Sequence, residues 1–172
     1  MNERLTPSQE KLKIEVVIAD PERDWGVYRD IYLEALEQEP EKLGIDPEDP
    51  KVIDGIEHLK TRSEDDWKEA LSKDTNITVL AMSDSRVIGM GRAIKKEGEP
   101  WSMGSAYTKE DFRGQGIGKK MFALRLRNIL NQSGKEVVVE INVGNDEPTK
   151  IATFFGFKEV PERSTDEVVY MR

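Results

Sequence analysis

The stretch from Trp101 to Gly134 places the strongest constraint on the fold. An apolar segment with β-type residues, Trp101 to Thr108, is followed by a charged turn at 109–112 and then by the run Arg113-Gly114-Gln115-Gly116-Ile117-Gly118-Lys119-Lys120. An amphipathic helical pattern continues to about Gln132, and a glycine such as Gly134 is typical of the position just past a helix end. The order predicts a strand, a glycine-rich turn and a helix.

This unit has the chemistry of an anion-binding site. The first N–H groups of a helix have no intrahelical partners, and the helix dipole adds partial positive charge at the same end. Glycines let a ligand approach the backbone closely, because no side chains stand in the way. The sequence therefore predicts that a phosphate or pyrophosphate binds where the helix begins.

Two phosphate-binding motifs do not fit the run. A Walker A loop needs glycine at position 113 and Ser or Thr at position 120, which are Arg113 and Lys120. A Rossmann fingerprint needs its third glycine at position 119, which is Lys119. The pattern R/Q-x-x-G-x-G/A is satisfied by Arg113, Gly116 and Gly118. The glycine spacing alone also allows an alternative, in which the chain is a nucleotide-binding protein of another class that uses the same loop.

The segments before this unit predict strands and helices in turn. Apolar and charged residues begin to alternate in a strand over 12–19, and helical spacing follows over 24–38 and 52–59. Ser63 and the acidic residues after it are typical of a helix start. Two β-rich runs at 77–82 and 86–95 predict a hairpin, in which Gly89 and Gly91 indicate a bulge or close packing.

The segments after the loop predict a parallel crossover. The helix is expected to bury Ile117, Met121, Leu124, Ile129 and Leu130, with Lys119, Arg125 and Arg127 off that face. Residues 136–143 alternate as a strand, with Val137, Val139, Ile141 and Val143 on one side and Glu140 on the other. A strand, helix and strand in this order are joined by a right-handed crossover, which places the loop at the carboxyl end of the sheet. Two last strands are expected at 158–160 and 167–171.

Composition excludes several classes of function. The net charge of -8 argues against nucleic acid as a partner, because phosphate contacts need clustered Lys and Arg. The chain has no cysteine, which excludes disulfides and a Cys nucleophile, and its one histidine, His58, argues against a zinc site. No apolar run is long enough for a signal peptide core or a membrane span. We expect one domain over 1–172 that is cytoplasmic, binds no metal and has no membrane partner.

The pattern at Arg113, Gly116 and Gly118 resembles the acetyl-CoA-binding motif of the GNAT superfamily of N-acetyltransferases. Asn145 and the pair Gly156-Phe157 match later family positions at the expected distances. Two positions depart from the family, since Pro148 replaces the usual alanine and Ala152 the usual tyrosine. The resemblance implies an α/β fold of the α+β type, with a mixed, mostly antiparallel sheet that is splayed and flanked by helices.

The resemblance also implies an acetyl-CoA-dependent N-acetyltransferase. The pantetheine arm would pair with the backbone near Ala106, Tyr107 and Thr108, and Asn145 would bind the same arm. The pyrophosphate would lie on the loop residues, which are Arg113, Gly114, Gln115, Gly116, Ile117, Gly118 and Lys119. The acceptor would be a small-molecule or peptide amine that binds near residues 25–67, and a homodimer is compatible with the family.

The mechanism expected from this resemblance is direct attack of a neutral amine on the thioester. An amine with a pKa of about 10.4 needs about 4–5 kcal/mol to lose its proton at pH 7, so a base is useful. We predict Glu140 as that base, with Tyr107 or Tyr170 as the general acid in place of Ala152, or solvent as the proton source. A non-catalytic acyl-CoA-binding module is the alternative that Ala152 suggests.

Overall fold

The computed structural model describes residues 13–40, 46, 48–72, 74–132, 136–142, 144–160 and 167–171, and only the backbone at 51, 52, 142 and 167–171. The predicted strand residue Leu12 and the predicted helix end Gly134 lie outside these ranges. The elements in chain order are β1 (Ile14–Ile18), α1 (Pro21–Gln38), α2 (Pro50–Lys60), α3 (Glu64–Ser72), β2 (Asn76–Ser83), β3 (Arg86–Lys95), β4 (Trp101–Thr108), α4 (Ile117–Asn131), β5 (Val137–Asn142), α5 (Asp146–Phe154), β6 (Lys158–Glu159) and β7 (Glu167–Met171). None of the helices described here is both long and apolar enough for a membrane span.

The strands form one sheet in the order β1-β2-β3-β4-β5-β7-β6. Neighbouring strands are antiparallel throughout, except that β4 and β5 are parallel. The predicted hairpin, the parallel crossover through α4 and the mostly antiparallel sheet are therefore confirmed.

Side-chain caps explain where two of the helices begin. The Asp20 carboxylate accepts hydrogen bonds from the backbone N–H groups of Glu22 and Arg23 at 3.0 and 2.9 Å, so that α1 starts at Pro21. Ser63 Oγ accepts from the Asp66 N–H at 3.2 Å, and the Asp66 carboxylate accepts from the Ser63 N–H at 3.0 Å. This reciprocal pair confirms the helix start predicted at Ser63.

Each face of the sheet carries its own hydrophobic cluster. On the α4 face, side chains of α4 pack against inward residues of β2 to β5, such as Val79, Met103 and Val139. On the α1 face, α1 and α3 pack against Leu80, Met90 and Tyr107. Because successive strand residues point to opposite faces, Ser102 and Glu140 lie on the α1 face, beside β4 and β5 residues that enter the other cluster.

Arg125 is the clearest departure from the predicted pattern. It was expected off the apolar face of α4, yet it is only 3% exposed and lies among the buried residues of that helix. Its guanidinium donates to the carbonyl oxygens of Arg92 at 2.6 Å and Gly104 at 2.9 Å. Arginine suits this buried position because the two carbonyl oxygens need hydrogen-bond donors, which an apolar side chain cannot supply. Leu130, predicted to be buried, is 47% exposed.

The two carbonyls belong to a bulge between β3 and β4. Gly91 pairs with Ala106 and Arg92 with Gly104, which leaves Ser105 unpaired at a φ of 37°. A Cβ on Gly91 would lie 3.0 Å from Arg125 Cζ, so a larger residue here would crowd the guanidinium that reaches the bulge. The close packing predicted from Gly91 is confirmed, and the bulge re-aims the outer half of β4.

Candidate active site

A cleft opens where β4 and β5 separate. The two strands pair only over Trp101–Met103 and Val137–Val139, although β4 runs on to Thr108 and β5 to Asn142. Within the described ranges, the β5-facing edge of β4 beyond Met103 therefore has no strand partner. The cleft has a volume of about 960 Å³, which is in the range of small-molecule sites, and both separated strands line it.

The start of α4 lies at the mouth of this cleft. Gly116 is the N-cap residue at a φ of 74°, a backbone conformation that favours glycine, and no side chain caps the helix. The N–H of Lys120 is the first to bond back, to the Gly116 carbonyl. The N–H groups of Ile117, Gly118 and Lys119 precede it and have no intrahelical acceptor, and these residues line the cleft. The arrangement suits an anionic ligand.

Arg113 fastens the glycine-rich turn to its surroundings. Its Nε donates to the Thr108 carbonyl at 2.9 Å, and its Nη2 lies 2.5 Å from the Glu39 carboxylate just past α1. These bonds connect the turn to the end of β4 and to α1. The motif arginine therefore holds the loop in place while it lines the cleft.

The cleft brings together the predicted cofactor residues with one exception. Its lining includes Ala106, Tyr107, Thr108, Arg113, Gly114, Gly116, Ile117, Gly118, Lys119 and Asn145, and Gln115 is not among the lining residues. Apolar residues that sequence reasoning missed also line it, namely Phe112, Met121, Phe122, Pro148, Ile151 and Phe154. Phe154 is 64% exposed, with Lys119 Nζ 3.1 Å from its ring centroid. Helical spacing assigns such residues to a core, so the sequence held no signal for them.

Glu140, the predicted base, lies on the cleft wall. It is an exposed residue of β5, and its Oε2 is 3.5 Å from Ser102 Oγ across the base of the splay. The distance is long for a hydrogen bond, so the carboxylate oxygens can accept hydrogen bonds from a ligand in the cleft.

Tyr107 is held by a polar network at the end of α1. Its hydroxyl lies 3.0 Å from Glu34 Oε1 and 2.9 Å from Gln38 Oε1, and Lys109 Nζ lies 2.7 Å from Glu34 Oε2. Burial, followed by the hydrogen bond to Glu34, raises the pKa of Tyr107 to about 12. The phenol is therefore protonated at neutral pH and turned toward α1.

The family's tyrosine position holds an alanine, and the other candidate acid, Tyr170, is described by its backbone alone. Ala152 is fully buried in the α4-face cluster and supplies no hydroxyl at the family's tyrosine position. Tyr170 has backbone pairings to Val139 and Glu159, and its side chain lies outside the described part of the chain. The described residues contain no cluster of His, Cys, Asp or Glu that could hold a metal ion.

A sheet that splays between β4 and β5, with the start of α4 at its open end, is the architecture of the GNAT fold. Sequence comparison agrees. The profile of the acetyltransferase (GNAT) domain family matches residues 45–169, which is most of the chain. The chain belongs to this family, and it is an acyltransferase of the GNAT type. No curated protein sequence matches it.

Solved structures show the same fold at low sequence identity. The PaiA N-acetyltransferase of Thermoplasma acidophilum, in complex with coenzyme A, has a TM-score of 0.71 at 14% identity, over 94% of this chain and 99% of that chain. Ribosomal-protein-alanine N-acetyltransferase of Brucella melitensis has a TM-score of 0.66 at 16% identity, over 91% and 96%. AAC(6')-Iy, in complex with the bisubstrate analogue CoA-S-monomethyl-acetylneamine, has a TM-score of 0.63 at 17% identity, over 89% and 95%.

Proposed function

We propose that the protein transfers the acetyl group of acetyl-CoA to a primary amine by direct attack of the amine on the thioester. The observation that carries this proposal is the uncapped start of α4 at the mouth of the cleft between β4 and β5. The family membership supports acetyl transfer in general. We infer the amine as the accepting group.

The donor would be held mainly by backbone groups. Three N–H groups at the start of α4 can bind pyrophosphate oxygens, and a Cβ on Gly114 or Gly116 would meet nothing within 4 Å, so these positions are open to a ligand. The edge of β4 at Ala106 to Thr108 offers peptide groups to the amides of a pantetheine arm, in the manner of an added strand. Lys119 would add charge near the phosphates, and Asn145 also lines the cleft.

Glu140 is the proposed base. An ammonium acceptor must lose a proton before it attacks, and a carboxylate on the cleft wall can receive that proton directly or through water. When bound, acetyl-CoA supplies the activated acyl carbon and a thiolate leaving group with a thiol pKa of about 8.5. Such a thiolate can depart without prior protonation, so solvent suffices as the final proton source. Tyr107 and Tyr170 remain the side-chain candidates for the acid.

A non-catalytic acyl-CoA-binding module is the second candidate. Two observations favour it: Ala152 has no acidic group, and the Tyr107 hydroxyl is engaged by Glu34 and Gln38. Such a protein would bind acetyl-CoA and release no thiol when an amine is added.

Two measurements test the proposal in sequence. Calorimetric titration with acetyl-CoA, with ATP and NAD as controls, should show saturable binding of acetyl-CoA alone. Release of free thiol in the presence of a panel of primary amines should then exceed its release in buffer. Binding without amine-dependent release would favour the binding module, and binding of ATP or NAD instead would favour a different nucleotide ligand.

The proposal also covers the domain, the location, the assembly and the partners of the protein. We propose one GNAT-type domain over 1–172, a cytoplasmic location, a homodimer as the compatible assembly, and no nucleic-acid partner. The structural neighbours act on different acceptors, as one is a ribosomal-protein-alanine acetyltransferase and another was solved with an acetylneamine analogue. The acceptor of this chain therefore has to be inferred from its own residues.

A further inference from the structure

Opposite charges flank a gap on the α1 face of the cleft. Arg92 of β3 pairs with Gly104 of β4, and the parallel register of β4 with β5 places Glu140 in the same row if it is extended by one residue beyond Met103 and Val139. Strands are spaced about 4.8 Å apart, so the Arg92 and Glu140 Cα atoms are separated by about 10 Å or more across the splay. Gly104 lies between them and has no side chain.

The space above Gly104 is open. A Cβ built on Gly104 would meet nothing within 4 Å, and Arg92, Ser102, Gly104 and Glu140 all line the cleft. We name this gap, bounded by Arg92 on one side and Glu140 on the other, the Gly104 slot. A ligand in the slot would have a cationic group at one end and a carboxylate at the other.

Arg92 has unused hydrogen-bonding capacity. Its guanidinium lies 5.7 Å from the centroid of the Tyr32 ring, on the α1 face. Its Nε is buried, and no acceptor among the described residues reaches it. No carboxylate in the described ranges forms a salt bridge with it. A buried donor without an acceptor is destabilising, and a ligand with anionic oxygens would supply the missing acceptor.

The surroundings of Arg92 favour an anion as well. Tyr28 is fully buried beside Tyr32 and Trp67, and burial raises its pKa to about 12 against the opposing positive charges of Arg92 and Arg62. Two guanidinium groups therefore act on one buried hydroxyl, and Arg62 lies 5.8 Å from the Trp67 ring centroid. Arg62 interacts with the nearby Asp66 carboxylate and is not among the residues that line the cleft, whereas Arg92 lines it.

We propose that the acceptor is an amine that carries an anionic oxygen group, with its amine directed to Glu140 and its anion bound by Arg92. This inference rests on the proposed function, which supplies the role of Glu140. A carboxylate or a phosphate satisfies the same chemistry, because both present oxygens that accept charge-assisted bonds from a guanidinium. Arg92 is thus a specificity-determining residue for the acceptor.

The test compares matched acceptors on the full chain. Linear ω-amino acids of two to six carbons are each assayed against their primary amides, and O-phosphoethanolamine against ethanolamine, by thiol release from acetyl-CoA. At the chain length that fits the slot, the anionic member should have a kcat/KM roughly 10- to 100-fold higher, the worth of a charge-assisted hydrogen bond. The better of the two series identifies carboxylate or phosphate as the anion.

Variants then assign the preference to Arg92. Arg92→Gln should abolish the preference for the anionic over the neutral acceptor, because it removes the guanidinium that binds the anion. Arg92→Lys keeps the charge and the long stem but loses the planar donor pair, and should reduce the ratio. Arg86→Gln, an exposed arginine at the other end of β3, is the control and should keep it.

The outcomes separate the two proposals. An equal kcat/KM for anionic and neutral acceptors in the native protein, or a preference that survives in both folded Arg92 variants, would overturn the Gly104 slot and leave amine acetylation intact. Acetyl-CoA binding with no thiol release from any amine would overturn the proposed function, and the slot would fall with it.

Discussion

Gly116 and Gly98 form a matched pair for testing the loop. Both have φ values near 75°, and at both a Cβ would meet nothing within 4 Å, but Gly98 lies in the β3–β4 turn outside the cleft lining. Alanine at either site should cost about 1–2 kcal/mol of stability, because the left-handed conformation is strained for a residue with a Cβ. Only Gly116→Ala should also weaken acetyl-CoA binding.

The measurements are thermal unfolding and calorimetric titration of the two variants. Equal loss of stability with selective loss of affinity would separate backbone strain from ligand contact. Unchanged affinity in Gly116→Ala would count against the start of α4 as the pyrophosphate site.

Glu140→Gln is the test of the base. The substitution keeps the shape and removes the proton acceptor, so kcat/KM should fall roughly 100-fold or more at pH 7. The deficit should shrink as the pH rises toward the amine pKa of about 10.4, because the acceptor then needs no base. Glu136→Gln, an exposed residue just before β5, should behave as the native protein does.

A complete pH–rate profile is the appropriate measurement. A constant deficit at every pH would show that Glu140 positions the acceptor without taking its proton. Native rates at every pH would remove Glu140 from the mechanism.

The bulge joins two strands and a helix, and it is tested as a unit. Gly91→Ala would place a Cβ 3.0 Å from Arg125 Cζ and 3.1 Å from its Nε, so overpacking should cost about 1–3 kcal/mol. In an Arg125→Met background the same change should cost less, because the crowded guanidinium is gone. Gly26→Ala, in an open position of α1, should be neutral or slightly stabilising.

Urea unfolding of both single variants and of the double variant gives the coupling free energy. Additive losses would mean that Gly91 and Arg125 do not constrain each other, contrary to the geometry described above.

The elements that the sequence predicted correctly depend on local signals. The hairpin of β2 and β3, the cap at Ser63 and the glycine-rich start of α4 each follow from residues close in the chain. Arg125 was assigned to the wrong environment because helical periodicity treats arginine as polar, whereas its partners, the Arg92 and Gly104 carbonyls, lie on other elements. The Gly104 slot likewise depends on strand register. Neither the buried environment of Arg125 nor the slot could therefore be predicted from the sequence.

One part of the site could be predicted from local sequence, and the other part depends on contacts between elements that are distant in the chain. The motif from Arg113 to Lys119 predicted one wall of the cleft from spacing and resemblance, and all of its residues except Gln115 line the cleft. Phe112, Ile151 and Phe154 join that wall only in the tertiary structure, because they come from the turn before α4 and from α5. Apolar residues at helical spacing give no indication of whether they face a core or a cleft.

Donor binding should stabilise the whole molecule. A ligand that binds only the native state adds about 2.7 kcal/mol at 100 times its Kd, and a domain of this size gains about 2–4 °C per kcal/mol. Acetyl-CoA at that concentration should therefore raise the melting temperature by about 5–10 °C, while ATP should not. An equal shift with ATP would favour a general nucleotide site.

The separation of β4 from β5 has a consequence for how the protein can change. On the proposed function, main-chain groups of β4 and α4 bind the donor, whereas the side chains of Arg92 and Glu140 bind the acceptor. Substitutions alter side chains and leave peptide groups in place, so new acceptor preferences can arise without loss of the donor. The same division makes the acceptor wall the natural target for redesign: residues there can be randomised in a library while acetyl-CoA binding serves as a constant selection for correct folding.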